Sequence, residues 1–167
     1  DPLRLAEGFA GTGAAERALG LAAINALTQS AWRRVGYEPP AAGNSSAGLA
    51  LSANDHLGMI GAFHPLIEGV RQAGAALTIV ELDARKAAAL AERHPGITAT
   101  LDRSALAACN QIVGTSTMLL NDSLDAMLAA CPRAREFALI GPSAGLWPDA
   151  LFARGVTRLA GTRIVDG

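Results

Sequence analysis

Aromatic residues are scarce in this 167-residue chain: four Phe, two Trp and one Tyr make up 4% of it. Packing must come mostly from aliphatic and small side chains. The 18 Gly residues and abundant Ala let helices lie close to a sheet, which favours a layered α/β arrangement. Cysteine is nearly absent, and Cys109 and Cys131 are too few for a disulfide framework. They read as small apolar filler. No stretch reaches the roughly eighteen apolar residues of a membrane span without Gly or charge, so no membrane partner is expected. Basic excess is missing too: 14 Lys plus Arg stand against 15 Asp plus Glu, a net charge of -1, which argues against a nucleic-acid partner. Nothing resembles a secretory leader, and a cytoplasmic location is the expectation. The chain begins Asp1-Pro2 without an initiator Met, which reads as a trimmed or partial chain. C-x-x-C, H-x-x-x-H and H-E-x-x-H spacings do not occur, so a preformed structural zinc site is not expected. There is no G-x-S-x-G elbow to support nucleophilic hydrolysis.

What is present is an alternation. Half the residues are apolar and 17% charged, the composition of one ordinary globular domain. Residues 14–34 repeat Leu19, Ala22, Ala23, Ala26 and Leu27 at helical spacing. The breaker-rich stretch from Gly36 to Ser46 follows. This divides the chain into an arm helix with its linker, residues 1–46, and a main body, residues 47–167. In the body, apolar runs at 47–53, 76–82, 97–101, 111–114 and 137–140 are expected as strands, with one or two closing strands in 156–165. Helices are expected over 58–73, 83–93, 104–109, 122–130 and 148–153, with Asp83 as an N-cap. Strands that are apolar throughout and separated by helices imply a mostly parallel sheet covered on both faces. The expected fold is α/β, Rossmann-like and doubly wound, preceded by the arm helix.

Ligands of such sheets bind beyond the carboxyl ends of the strands. The strand exits read from the sequence carry Asp55-His56 with Gly58-x-x-Gly61, then Glu81, then Thr115-Ser116-Thr117, then Gly141-Pro142-Ser143. Turns that combine Gly with hydroxyls suit a polar ligand held on backbone N–H groups. Gly58-x-x-Gly61 is half of a dinucleotide fingerprint, with His56 at the position of its first Gly. Glu81 follows Gly58 by 23 positions, near the spacing of a ribose-binding carboxylate. The same glycines equally suit close helix packing. Asp55 and His56 are the candidate ligands of a divalent metal. His94, ending a helix, reads as structural.

Several segments together carry a resemblance: Gly20-Leu-Ala-Ala-Ile-Asn25-Ala-Leu27, Gly58-Met-Ile-Gly61-Ala-Phe63-His-Pro65-Leu66, Asn121-Asp-Ser-Leu124, Gly141-Pro-Ser-Ala-Gly-Leu146 and Leu151-Phe152-Ala-Arg-Gly155-Val156, with Leu159, Gly161 and Asp166 beyond. From about Leu19 to Asp166 the chain resembles the putative heavy-metal-chelation family, Rossmann-like domains of unknown function. Gly145, where a Pro is expected, and His64 depart from its pattern. The resemblance implies a smaller N-terminal α/β domain before the Rossmann-like part, with the site in the cleft between them. It also implies that Asn25 belongs to that cleft.

Three readings follow: a domain handling a metal or metal-chelating compound; a non-catalytic anion- or nucleotide-binding module; and an enzyme using NAD(P) or S-adenosylmethionine, with Glu81 on the ribose. A homodimer, or a separate chain supplying the N-terminal domain, is the expected partner.

Overall fold

The computed structural model describes residues 1–41 and 48–162. Ser45, Ser46, Ala47 and Asp166 of the sequence reading lie outside them. Two helices come first, α1 (Pro2–Glu7) and α2 (Ala14–Val35). The body then alternates β1 (His56–Ile60), α3 (His64–Gln72), β2 (Ala76–Val80), α4 (Ala84–Arg93), β3 (Thr98–Thr100), β4 (Gln111–Thr115), α5 (Leu124–Ala129), β5 (Glu136–Ile140), α6 (Asp149–Phe152) and β6 (Arg158–Ala160). A short 3-10 helix, Arg103–Ala108, stands before β4. All pairings are parallel and the strand order is β3-β2-β1-β4-β5-β6.

Period-two alternation decides which side chains go to which face. Leu57 and Met59 of β1, Leu77 and Ile79 of β2 and Val113 of β4 enter one core with Leu66, Ile67 and Val70 of α3 and Leu90 of α4. Ile60, Val80, Ile112 and Leu139 point the other way, into a second core with Leu124 and Met127 of α5 and Leu151 of α6. Helices thus cover both faces, which explains why the strands lack a polar face. Asp83 caps α4 as expected, its carboxylate accepting from Arg85 N at 2.8 Å. Cys109 and Cys131 are buried in the second core, and burial pushes their thiols up to about 11 and about 12. Among the described residues no helix is long and apolar enough to cross a membrane.

The first strand lies elsewhere than the sequence suggests. Residues 48–53, within the stretch expected as a strand, are irregular and only contribute Leu49 and Leu51 to the first core. The strand is His56–Ile60, the beginning of the segment expected as a helix. Gly58 is therefore an interior strand residue and does not open a helix. A Cβ there would stand 2.7 Å from Ile112 Cδ1 and 2.8 Å from Leu106 Cδ2, so its role is close packing. Helix α3 begins only after Phe63, where Pro65 fits a first turn that needs no N–H.

The arm is docked on the body. Leu21 of α2 is buried in the second core and Ile24 packs against it. The Arg17 guanidinium donates to Leu119 O and Leu120 O, at 2.9 and 3.0 Å, and reaches Asp122 at 2.9 Å. The apolar residues repeated along α2 divide: Ala23 is buried, whereas Leu19 remains exposed.

Candidate functional site

Strand order reverses between β1 and β4, so their exit loops diverge to opposite faces and leave a crevice at their carboxyl ends. Gly61 follows β1 with φ +80°, a conformation that favours glycine, and a Cβ there would touch Thr115 Cγ2 at 3.5 Å. Glu81, leaving β2, reaches across and accepts from Ala62 N at 2.8 Å, fixing the β1–α3 loop. From β4, the Thr115 and Thr117 hydroxyls lie 3.0 Å apart. Between them, Ser116 is buried and its hydroxyl has no hydrogen-bond partner. Gly141, after β5, has φ +136°, and a Cβ there would stand 2.5 Å from Ser116 Oγ. Asn25 of α2 closes the arc: its Nδ2 donates to Ser143 O at 3.1 Å, while its Oδ1 is buried without a partner.

Of the residues singled out in the sequence, Asn25, Gly61, Glu81, Thr115, Ser116, Thr117, Gly141, Pro142 and Ser143 thus come together along one edge. Gly58 sits inside the sheet. Asp55 and His56 are at the entry of β1, at the opposite end of the sheet from its exit loop. The Asp55 carboxylate accepts from Arg135 (2.7 Å), from Ser52 N and Oγ (both 2.8 Å) and from Asn110 (3.2 Å). The Arg135 guanidinium, then the Ser52 hydroxyl, hold it far below the usual carboxylate range. His56 Nε2 lies 2.8 Å from Thr78 Oγ1, and burial lowers its pKa. Their expected place at a strand exit is corrected: they brace the amino-terminal end of the sheet, because the strand starts later than its apolar neighbourhood suggests.

Among the described residues no group of three His, Cys, Asp or Glu stands close enough to hold a metal ion. The crevice offers neutral hydroxyl and amide oxygens, weak donors for a soft heavy metal, and both thiols are buried and protonated. A bare heavy-metal ion does not fit these donors. The dinucleotide fingerprint loses its glycine to the sheet, and Glu81, at the ribose position, has one oxygen occupied by Ala62 N.

The cavities beside Asn25 are the feature that sequence reasoning missed. Trp32, Tyr37 and Pro39 of the arm line them with Pro142 and Pro148 of the body. The local signal in the sequence is Trp147 beside Pro148, which reads as core or as a pocket wall; Pro148 lines the cavity and Trp147 is half exposed.

Strand order, crossovers and a crevice at the β1/β4 exits define a Rossmann-like domain. The chain belongs to the DUF364 family, described as "Putative heavy-metal chelation", whose model matches residues 45–167. An uncharacterised protein of Methanocaldococcus jannaschii is 28% identical over 159 residues, covering 90% of this chain and 56% of that protein. Two crystal structures of DUF364 proteins of unknown function share the fold. The one from Pyrococcus horikoshii has a TM-score of 0.67 at 18% identity, covering 90% of this chain and 57% of that one. The one from Desulfitobacterium hafniense has a TM-score of 0.65 at 21% identity, covering 93% and 59%. The chain spans a little over half the length of these relatives.

Proposed function

We propose that this domain binds a small polar molecule at the β1/β4 exits, and that the molecule is a metal chelate or its chelator, not a bare ion. The observation that carries the reading is Ser116: a buried hydroxyl without a partner at the switch point, beneath a loop that only glycine fits. A buried polar group left unpaired costs about 1–3 kcal/mol, which a ligand hydroxyl or carboxylate would offset once the Gly141 turn that covers Ser116 shifts to admit it. A chelator brings its own metal donors, which suits a crevice of neutral oxygens and agrees with the family description. Calorimetric titration with nickel citrate and with free nickel tests it. The chelate binds, the free ion does not, and Ser116→Val abolishes chelate binding. Tight binding of free nickel, lost when Asp55 and His56 are replaced, would overturn the reading.

A further inference from the structure

Four of the chain's seven aromatic residues, Trp32, Tyr37, Trp147 and Phe152, gather in one place, while Phe9, Phe63 and Phe137 pack with the cores. Both tryptophans and the single tyrosine meet where the C-terminal end of α2 faces the β5–α6 loop. The Trp32 and Tyr37 ring centroids are 5.5 Å apart with planes at 60°, and those of Trp32 and Trp147 are 6.3 Å apart at 40°. The tilt keeps the rings from stacking flat on one another. Tyr37, Trp147 and Phe152 are 50%, 48% and 46% exposed, a high density of apolar ring surface for a chain so poor in aromatics.

Two concavities open at this place. One, of about 690 Å³, lies among Trp32, Tyr37, Pro39, Pro40, Pro148 and Phe152. The other, of about 540 Å³, lies among Asn25, Trp32, Tyr37, Pro39 and Pro142. Because they share Gln29, Trp32, Tyr37 and Pro39, they form one trough that starts at the crevice and runs outward along α2. Each volume falls in the range of small-molecule sites, which combine apolar and aromatic walls with a few polar groups. Proline walls lose little freedom when a ligand orders them. At the inner end the buried Asn25 Oδ1 lacks a donor. Gln29 is committed, its Nε2 donating to Gly145 O at 3.3 Å.

We propose that this trough binds the planar ring of an aromatic small molecule, whose hydroxyl donors reach Asn25 Oδ1 and whose polar end enters the crevice. The polar half of this assignment rests on the function proposed above; the ring half stands on the trough alone. A flat ring gains from the faces of Trp32 and Tyr37 what an aliphatic chain of equal area would not.

The two indole N–H signals in a nitrogen-correlated NMR spectrum report on the trough without labels of other kinds. The probe is 2,3-dihydroxybenzoate, a ring with two hydroxyls and a carboxylate, with citrate as the ringless control. The Trp32 signal should move saturably with dihydroxybenzoate and stay in place with citrate. Trp32→Leu and, separately, Tyr37→Leu should each weaken binding about tenfold while the backbone amide signals of the sheet in the probe-free protein attest the fold. The proposal is overturned if millimolar dihydroxybenzoate moves neither signal or if both variants bind it as the parent does. It is also overturned if the signals move with protein concentration alone, which would mean that a second copy covers the trough. Ser116→Val separates the two proposals: ring binding that survives it, together with nickel citrate binding that it leaves unchanged, leaves the trough standing and removes the crevice reading. Chelate binding that survives Trp32→Leu while the ring probe fails in the parent does the reverse.

Discussion

At the amino-terminal end of the sheet both oxygens of the Asp55 carboxylate are occupied, by Arg135, Asn110 and Ser52, and the Asn110 side chain also accepts from His56 N. At the carboxyl end the Ser116 hydroxyl and the Asn25 carbonyl oxygen have nothing to bond, and two loops adopt positive φ at Gly61 and Gly141. The third buried polar atom without a partner among the described residues, His94 Nε2, belongs to the cap of α4. Both ends are rich in polar residues, so composition does not distinguish them. Saturation does: a closed network holds strands together, whereas unmet valence and glycine-only turns leave room for something else.

Breaking the closed end should have the largest effect. Asp55→Ala leaves Asn110 and Ser52 N without their acceptor and takes the half-exposed Arg135's partner away, and the melting temperature should fall further than for any change at the crevice. Next comes Gly141→Ala, which sets a Cβ against Ser116 Oγ in a conformation that L residues avoid. It should cost about 1–3 kcal/mol in denaturant unfolding. Acidification comes third. His56 takes up a proton less readily folded than unfolded, so stability is present above the ordinary histidine value and declines as pH falls from 7 towards the lowered folded value. Asp55 acts at lower pH: its stabilisation is complete above the usual carboxylate range and is lost only as pH drops towards its depressed folded value. Melting curves from pH 7 to 3 should therefore show an early, small decline that His56→Gln flattens and a later, larger one that it leaves alone. Smallest is Ser116→Ala, which removes a hydroxyl that bonds to nothing. It should change stability by no more than about 0.5 kcal/mol while weakening ligand binding. A large stability loss there would erase the contrast between the two ends.

Much of this was legible in the sequence because the informative residues are local. Unbroken apolar runs gave β2, β4 and β5, and the turns Thr115–Thr117 and Gly141–Ser143 followed directly from where those strands stop. The first strand was hidden for a physical reason. Gly58 disfavours a strand intrinsically, yet the side chains of Ile112 and Leu106 fill the space its missing Cβ leaves, so tertiary packing overrides propensity. Met59, Ile60, Phe63, Ile67 and Val70 also happen to fall at helical spacing across the strand–turn–helix junction, where Pro65 was the mark of the true start. That slip carried Asp55 and His56 to the wrong end of the sheet. The trough was illegible because Trp32 and Trp147 are separated by most of the chain and meet only once the arm docks.

The order in which β1 finds its neighbours has a consequence for how the molecule is made. Leu57 pairs with Leu77 after one short crossover, but its other edge must wait for Gln111. Until β4 emerges, a nascent chain holds three strands with an open edge at β1, and pairing that edge with β4 closes a longer loop than pairing β1 with β2 does. That edge is both the site of mispairing to guard against and the natural place to split the gene into two fragments that reassemble. The long return that creates the crevice is also the last piece of the sheet's centre to close.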